Sequence, residues 1–338
     1  MFQMQDIPTT QGLTFTLAGV GTYEPRTIVT SDELDARHGR PSGTSAALGI
    51  NQRRYAAADE TSSLMGAEAA RQAIADAAWR IDEVDAILGA CGVMEQPIPG
   101  TAALVQRRLG LGDSGVPAFD LNATCLSFLP ALDHALAWMA LGRWRRVVIF
   151  AADIASAALD HDDLETSAIF GDGAAAIALE SGGPSRLLAS RLETYGDGVD
   201  LCRLEAGGTR LRPREDVEKF LAHSHFQMQG VALFRATARR FPGFLARLMN
   251  EAGVAPDTLG SIIPHQASAP AIAHLARVLG GDRDRIVDVF ATLGNRIASS
   301  MPHARATARR KGQLRTGTTS LLIGSSAGLS LGGAVIRW

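Results

Sequence analysis

The sequence predicts an α/β protein built from two duplicated halves. Helix-like and strand-like apolar patterns alternate along the whole chain. Their order in the second half repeats that of the first, and the segment around Asp82 overlays that around Asp257 at a shift of 175 residues (257 − 82 = 175). The 35 glycines, many alanines and only 6% aromatic residues favour close helix-on-sheet packing. At 338 residues, 46% hydrophobic and 20% charged, the chain is long and apolar enough for two units with a large core. The halves are placed at 1–180 and 181–338.

In the first half, 62–79 reads as a helix because Met65, Ala69, Ala73 and Ala77 recur at helical spacing. A short buried strand follows at 85–90, a helix at 101–109 and a strand at 116–121. A long apolar helical pattern at 126–141 is closed by Gly142. A strand at 146–152 and a glycine turn at 170–173 feeding a last strand complete the half. The second half reads as a helix at 232–251, a strand at 261–264, a helix at 269–279 and a strand at 286–290. A helix at 296–311 and terminal strands at 318–323 and 333–337 follow. In this order Cys125 and Asn295 both start the next-but-one helix of their half, at a shift of 170 (295 − 125 = 170). Equivalent helix starts of two such halves can face each other across the centre.

A net charge of −2 makes no electrostatic case for nucleic acid. The clusters Arg143, Arg145, Arg146 and Arg210, Arg212, Arg214 are short enough to be solvated surface. Residues 1–6 lack the basic and apolar regions of a secretory signal, and no apolar run reaches the ~18 residues of a membrane span. The three cysteines fit neither a disulfide framework nor a metal site. An odd count without a signal points to a reducing cytoplasm.

Cys125 ends a short apolar segment and opens an apolar helical one. A helix start sets partial positive charge against the sulfur and favours the thiolate, the nucleophilic form. Taken alone, a cysteine is more often a small buried hydrophobe. His265 follows an apolar strand, and the carboxyl ends of strands are where open α/β sheets place ligands. Asn295, after Gly294, reads equally well as a helix cap. Together, Cys, His and Asn at three strand-to-helix junctions suit acyl transfer to a thiol, with His and Asn donating to a developing oxyanion. The small-residue loop at 324–333 offers backbone N–H groups for a second oxyanion and lacks phosphate-loop spacing.

Six segments, in order and at similar spacing, resemble the β-ketoacyl-[acyl-carrier-protein] synthase III family of the thiolase superfamily. They are Gly49-Ile-Asn-Gln-Arg-Arg54, Asp59 to Gly66, Asn122-Ala-Thr-Cys125-Leu-Ser-Phe128, Phe170-Gly-Asp-Gly-Ala174, Pro264-His265-Gln266-Ala267 and Gly294-Asn295. The resemblance implies a five-layered αβαβα thiolase fold working as a homodimer, with no metal or organic cofactor. It implies that Cys125 takes an acyl group from a thioester of coenzyme A or acyl carrier protein. His265 and Asn295 would bind a malonyl-type thioester and stabilise the enolate left by CO₂ loss. The N–H groups of Cys125 and Ala327 would hold the tetrahedral oxyanion. Ile98, Gly230, Phe234 and Ser268 would contact substrate, Ile98 by reaching the partner's acyl pocket. Arg235 and Arg277 would dock a carrier protein.

The chain departs from the family pattern at the mouth. Gly43 and Leu164 stand where the family grips adenine between a Trp and an Arg, and Ala47 where it has a second coenzyme-binding Arg. Ser268 replaces an Asn that contacts pantetheine, and Pro270 a docking Arg. These changes point to a carrier-bound or specialised donor, in lipid, fatty acid or polyketide metabolism. Two further readings stay open. One is acyl transfer without decarboxylation, or head-to-head joining of two acyl thioesters; the other is a non-catalytic subunit of a heterodimer.

Overall fold

The computed structural model describes residues 13–338; the stretch 1–6 read above for a signal lies outside them. The first half contributes β1 (Thr14–Tyr23), β2 (Ala86–Gly89), β3 (Ala118–Asp120), β4 (Arg146–Asp153) and β5 (Gly173–Ser181). The second contributes β6 (Ser185–Thr194), β7 (Ser261–Pro264), β8 (Thr319–Ser326) and β9 (Ser330–Arg337). The principal helices are α1 (Ser62–Asp76), α2 (Thr101–Arg108), α3 (Phe128–Ala140), α4 (Gly230–Ala252), α5 (Ala269–Val278) and α6 (Ser300–Arg310).

These nine strands hydrogen-bond in the order β7-β8-β9-β6-β1-β5-β4-β2-β3. Among the described residues the halves meet at β1 and β6 through the pairs Thr14 with Arg186 and Phe15 with Ser185, and the Leu187 N–H adds a bond to the Leu13 carbonyl (3.2 Å). In the first half the strand beside β2 is the parallel β3, and β4 is parallel to β2 while β5 runs antiparallel. The second half repeats this with β7, β8 and β9. The outermost place, expected to hold a strand at 286–290, holds a single parallel bridge from Ile286 to Ile262. The strand is aborted because the Gln266 side chain takes the Val289 N–H (2.9 Å) and Asp288 takes that of Phe290 (3.0 Å), turning the backbone into a short helix, Phe290–Leu293.

Apolar packing orders these elements into five layers. One core cluster joins α1 (Met65, Ala69, Ala73) and α2 (Val105) to β2 and β4. A second joins α3 (Leu132, Leu136) and α6 (Met301, Ala304) to both halves, Leu88 and Ile149 on one side and Leu322 and Ala334 on the other. A third joins α4 (Phe244, Leu248) and α5 (Ile272, Leu275) to β7 and β8 (Ile262, Leu321). The stacking is helices, sheet, helices, sheet, helices, the αβαβα arrangement expected. Small residues make the layers close: a Cβ on Gly19 or Gly21 of β1 would stand 2.0 Å from the carbonyl oxygen of Ala73 or Ala69 on α1.

Several boundaries differ from those read off the sequence. α1 ends at Asp76 rather than 79, and Ala78 takes a left-handed φ of 55°. The helix expected at 296–311 begins as a tight turn, Ile297–Ser299, and only then becomes α6. α6 lies in the central layer and buries three polar residues, Ser300, His303 and Arg305. That guanidinium stacks on Trp338 with 4.4 Å to the ring centroid, and burial lowers its pKa to about 9.

Candidate active site

Two short turns face the centre, and their construction is the same. In the first, Asn122 Oδ1 accepts the Thr124 N–H (2.8 Å), Thr124 has φ 51°, and Ser127 Oγ accepts the Ala123 N–H (2.9 Å). In the second, Asn295 Oδ1 accepts the Ile297 N–H (2.9 Å), Ile297 has φ 51°, and Ser300 Oγ accepts the Arg296 N–H (2.9 Å). The shift is 173 residues (297 − 124 = 173). This corrects the equivalence read from the sequence: Asn295 corresponds to Asn122, and the position of Cys125 in the other turn is held by Ala298. A left-handed β-branched residue in each turn is strained, and strain of this kind gathers at functional sites.

Asp153, at the end of β4, ties the second turn to the loop that follows β2. Its carboxylate accepts the N–H groups of Gly92 (2.8 Å), Val93 (2.9 Å) and Ser299 (3.0 Å). Burial nevertheless raises its pKa to about 7, with those donors pulling the other way. Sequence reasoning passed over it; an acid closing the apolar run Val147 to Ala152 was the available signal.

Cys125 sits in the first turn, Thr124–Leu126, just ahead of α3. The expectation that the helix start favours the thiolate is not met. Cys125 is partly exposed to the cavity it lines, but desolvation by the surrounding protein pushes the thiol up to about 12, outweighing the N–H of Ala327 and its own, which favour the anion. The free thiol is therefore protonated at neutral pH. Ala327 is brought to the sulfur by the turn joining β8 to β9, and its carbonyl accepts the Thr124 hydroxyl (3.5 Å).

His265 continues β7, donating its backbone N–H to Ile323 (2.9 Å). Its ring is buried, its Nδ1 has no partner among the described residues, and burial lowers its pKa to about 4, so the imidazole is neutral. Asn295 is also buried. Because Ile297 holds its Oδ1, the amide nitrogen is the free end; it makes one long bond to the Ala267 carbonyl (3.4 Å).

Cys125, His265, Asn295 and Ala327 line one cavity of about 910 Å³. Its walls are largely apolar, with Ile169, Phe170, Phe226, Met228 and Phe241. Gly230, Phe234, Ser268 and Arg235 line it too. The Ser268 hydroxyl accepts the Ala271 N–H (3.3 Å) and so caps α5. Ile98 and Arg277 are not in this lining: Ile98 is 86% exposed, and Arg277 points outward from the end of α5. The cavity also holds two residues the sequence reading did not single out, Glu165 and Cys202. Burial pushes the Cys202 thiol to about 12. Cys91 is buried outside the cavity and accepts the Ala152 N–H at its sulfur (3.3 Å). Among the described residues no helix is long and apolar enough to cross a membrane.

Two family models match the chain, 3-oxoacyl-[acyl-carrier-protein (ACP)] synthase III over residues 119–196 and its C-terminal counterpart over 249–338. Among curated proteins, β-ketoacyl-[acyl-carrier-protein] synthase III 3 of Streptomyces coelicolor is 36% identical over 330 residues, covering 95% of this chain and 96% of its own. The solved structure of 3-oxoacyl-[acyl-carrier-protein] synthase III from Aquifex aeolicus superposes with a TM-score of 0.86 at 29% identity, over 97% of this chain and 100% of that one. The priming β-ketosynthase of the R1128 polyketide pathway superposes with a TM-score of 0.86 at 26% identity, over 99% of each chain.

Proposed function

The chain belongs to the β-ketoacyl-[acyl-carrier-protein] synthase III family, and we propose that it joins an acyl thioester to a malonyl-type thioester by decarboxylative Claisen condensation on Cys125. The observation that carries this is the single cavity onto which Cys125, neutral His265 and the amide nitrogen of Asn295 all open.

The Cys125 thiol attacks the donor thioester, the donor C–S bond breaks, and the proton passes to the departing thiolate. A buried site that disfavours the charged sulfur favours the neutral acyl-enzyme. The malonyl-type thioester then loses CO₂, and the electron pair of the broken C–C bond becomes an enolate whose oxygen is held by N–H groups of His265 and Asn295. The enolate carbon attacks the acyl-Cys125 carbonyl. The N–H groups of Cys125 and Ala327 hold the tetrahedral oxyanion until the bond to sulfur breaks, and a proton from solvent restores the thiol. One oxyanion donor of this kind is worth roughly 10²–10³ in kcat.

The two halves, 1–180 and 181–338, are taken as the units of the duplication; their matching strand order supports this. A homodimer is also proposed. The open edge of β3 carries a half-exposed Phe119 in contact with His134 and Trp144, and Ile98 projects freely. Sedimentation at micromolar concentration reads the assembly. The polyketide ketosynthase likeness favours specialised lipid or polyketide metabolism, and a cytoplasmic location goes with it.

Incubation with acyl thioesters followed by intact-mass measurement tests the function. A covalent adduct is expected that is lost in Cys125→Ala, and absence of an adduct with every donor refutes the reading. Release of labelled CO₂ from a malonyl thioester is expected from the acylated enzyme; acylation without CO₂ release would instead show plain acyl transfer.

A further inference from the structure

The mouth of the cavity carries charge in an unexpected place. Residues Leu164–Ser167 form one helical turn, whose start Asp163 caps by accepting the Glu165 N–H (2.9 Å). Leu164 packs inward against the apolar cluster of Val29, Leu34 and Ala168. Its neighbour Glu165 faces the cavity and is exposed. The Glu165 carboxylate lies over the first residue of α4: a Cβ on Gly230 would stand 2.0 Å from Glu165 Oε1.

α4 has 23 residues, and its N-cap, Gln229, makes no side-chain capping bond. The start of a long helix attracts anions, phosphate in particular. Here that end is covered by the protein's own carboxylate. Arg235 and Arg283 lie in the same lining with Asp288, so the two cations are balanced by two carboxylates, one of which is Glu165. Ala47, also in the lining, adds no charge.

We propose that Glu165 is a specificity-determining residue. Its carboxylate at the positive end of α4 selects against a thioester donor whose handle is a nucleotide diphosphate, as in coenzyme A. The thioester it favours hangs from a phosphopantetheine arm whose single phosphate is esterified to a carrier protein. The proposal rests on the thioester-using function given above and names the donor class for it.

The test compares Cys125 acylation, read by intact mass over time, for the coenzyme A and the uncharged N-acetylcysteamine thioesters of one acyl group. In Glu165→Gln the ratio of the coenzyme A rate to the uncharged rate is expected to rise about fivefold at low salt, the size of one unit-charge contact in water. Glu165→Lys should raise it further. At ~1 M salt, where screening acts within about 3 Å, the gain should fall towards one. A ratio unmoved in both variants, with Cys125 still acylated, overturns the proposal alone. Failure of every donor to acylate Cys125 in the wild type overturns the condensing function and this proposal with it.

Discussion

The three chemical residues differ in what surrounds them, and that decides what each can do. Cys125 is held protonated by burial, so it does not behave as a pre-formed thiolate. Its alkylation by iodoacetamide is expected to rise about tenfold per pH unit from pH 6 to 9 without a plateau, since only the thiolate reacts. A plateau near pH 7 would show that the helix start and the Ala327 N–H win after all. Asn295 has two tasks, since its Oδ1 locks the turn and its nitrogen faces the cavity. Asn295→Asp keeps the acceptor and removes the donor. Decarboxylation should fall by about 10²–10³ while Cys125 is still acylated and the fold is unchanged; loss of acylation would mean that the turn itself had failed. At this scale Cys125, His265 and Asn295 were legible because each sits in a recognisable segment at a strand-to-helix junction. Glu165 was not, because a carboxylate that covers a helix end leaves no local pattern; for Asp153 the sequence offers only an acid closing an apolar run, which says nothing of the N–H groups it binds. The thiol's resting state was misread, since a helix start is visible in sequence and the burial that outweighs it is not.

Among the elements, the paired turns carry the site, and Asp153 fixes the second of them against the loop after β2. Asp153→Ala would leave the Gly92, Val93 and Ser299 N–H groups without their acceptor. Of these the Ser299 N–H is the buried one, and an unpaired buried donor costs about 1–3 kcal/mol, so a loss of about 1–3 kcal/mol is expected in urea denaturation. A loss under 1 kcal/mol would show that water replaces the carboxylate. α1 and α3 were legible in sequence because each repeats its apolar residues at helical spacing, and α3 also ends at a clear stop, Gly142. β6 was not: its sequence, Ser185 to Thr194, places Leu187, Leu188 and Leu192 at spacings that also suit a helix. The strand expected at 286–290 failed for the converse reason. Its residues have strand character, but side chains of Gln266 and Asp288 capture the N–H groups that a sheet needs.

For the whole molecule, burial of polar groups in the central layer couples stability to pH. His303 is buried between two halves of a charge cluster, accepting from Arg296 at Nδ1 (3.2 Å) with Nε2 turned to Glu24 (3.5 Å). Burial lowers its pKa to about 4, against about 6.5 when unfolded. Between those values the unfolded chain binds a proton that the folded one does not, so this contribution to stability is lost as pH falls from 6.5 to 4. His303→Gln removes the titration, and the slope of unfolding free energy against pH should drop by up to about 1.4 kcal/mol per unit in that window. An unchanged slope would place the charge on His303 in the folded protein as well. The duplication followed from the repeated element order and the five layers from the family resemblance, whereas the correspondence of the turns was off by three residues. Equivalence there is set by φ values and side-chain bonds rather than by where helices start.

That corrected correspondence bears on how such a protein changes over generations. In the proposed reaction, the nucleophile and the enolate-holding amide are carried on two copies of one turn, at different positions within it. Losing the amide at 295 would strand an acyl-enzyme that still forms, ready to pass its cargo to whichever nucleophile enters the mouth. The duplicated scaffold thus separates loading from bond-making, so that a lineage can retire one reaction while keeping the other in service.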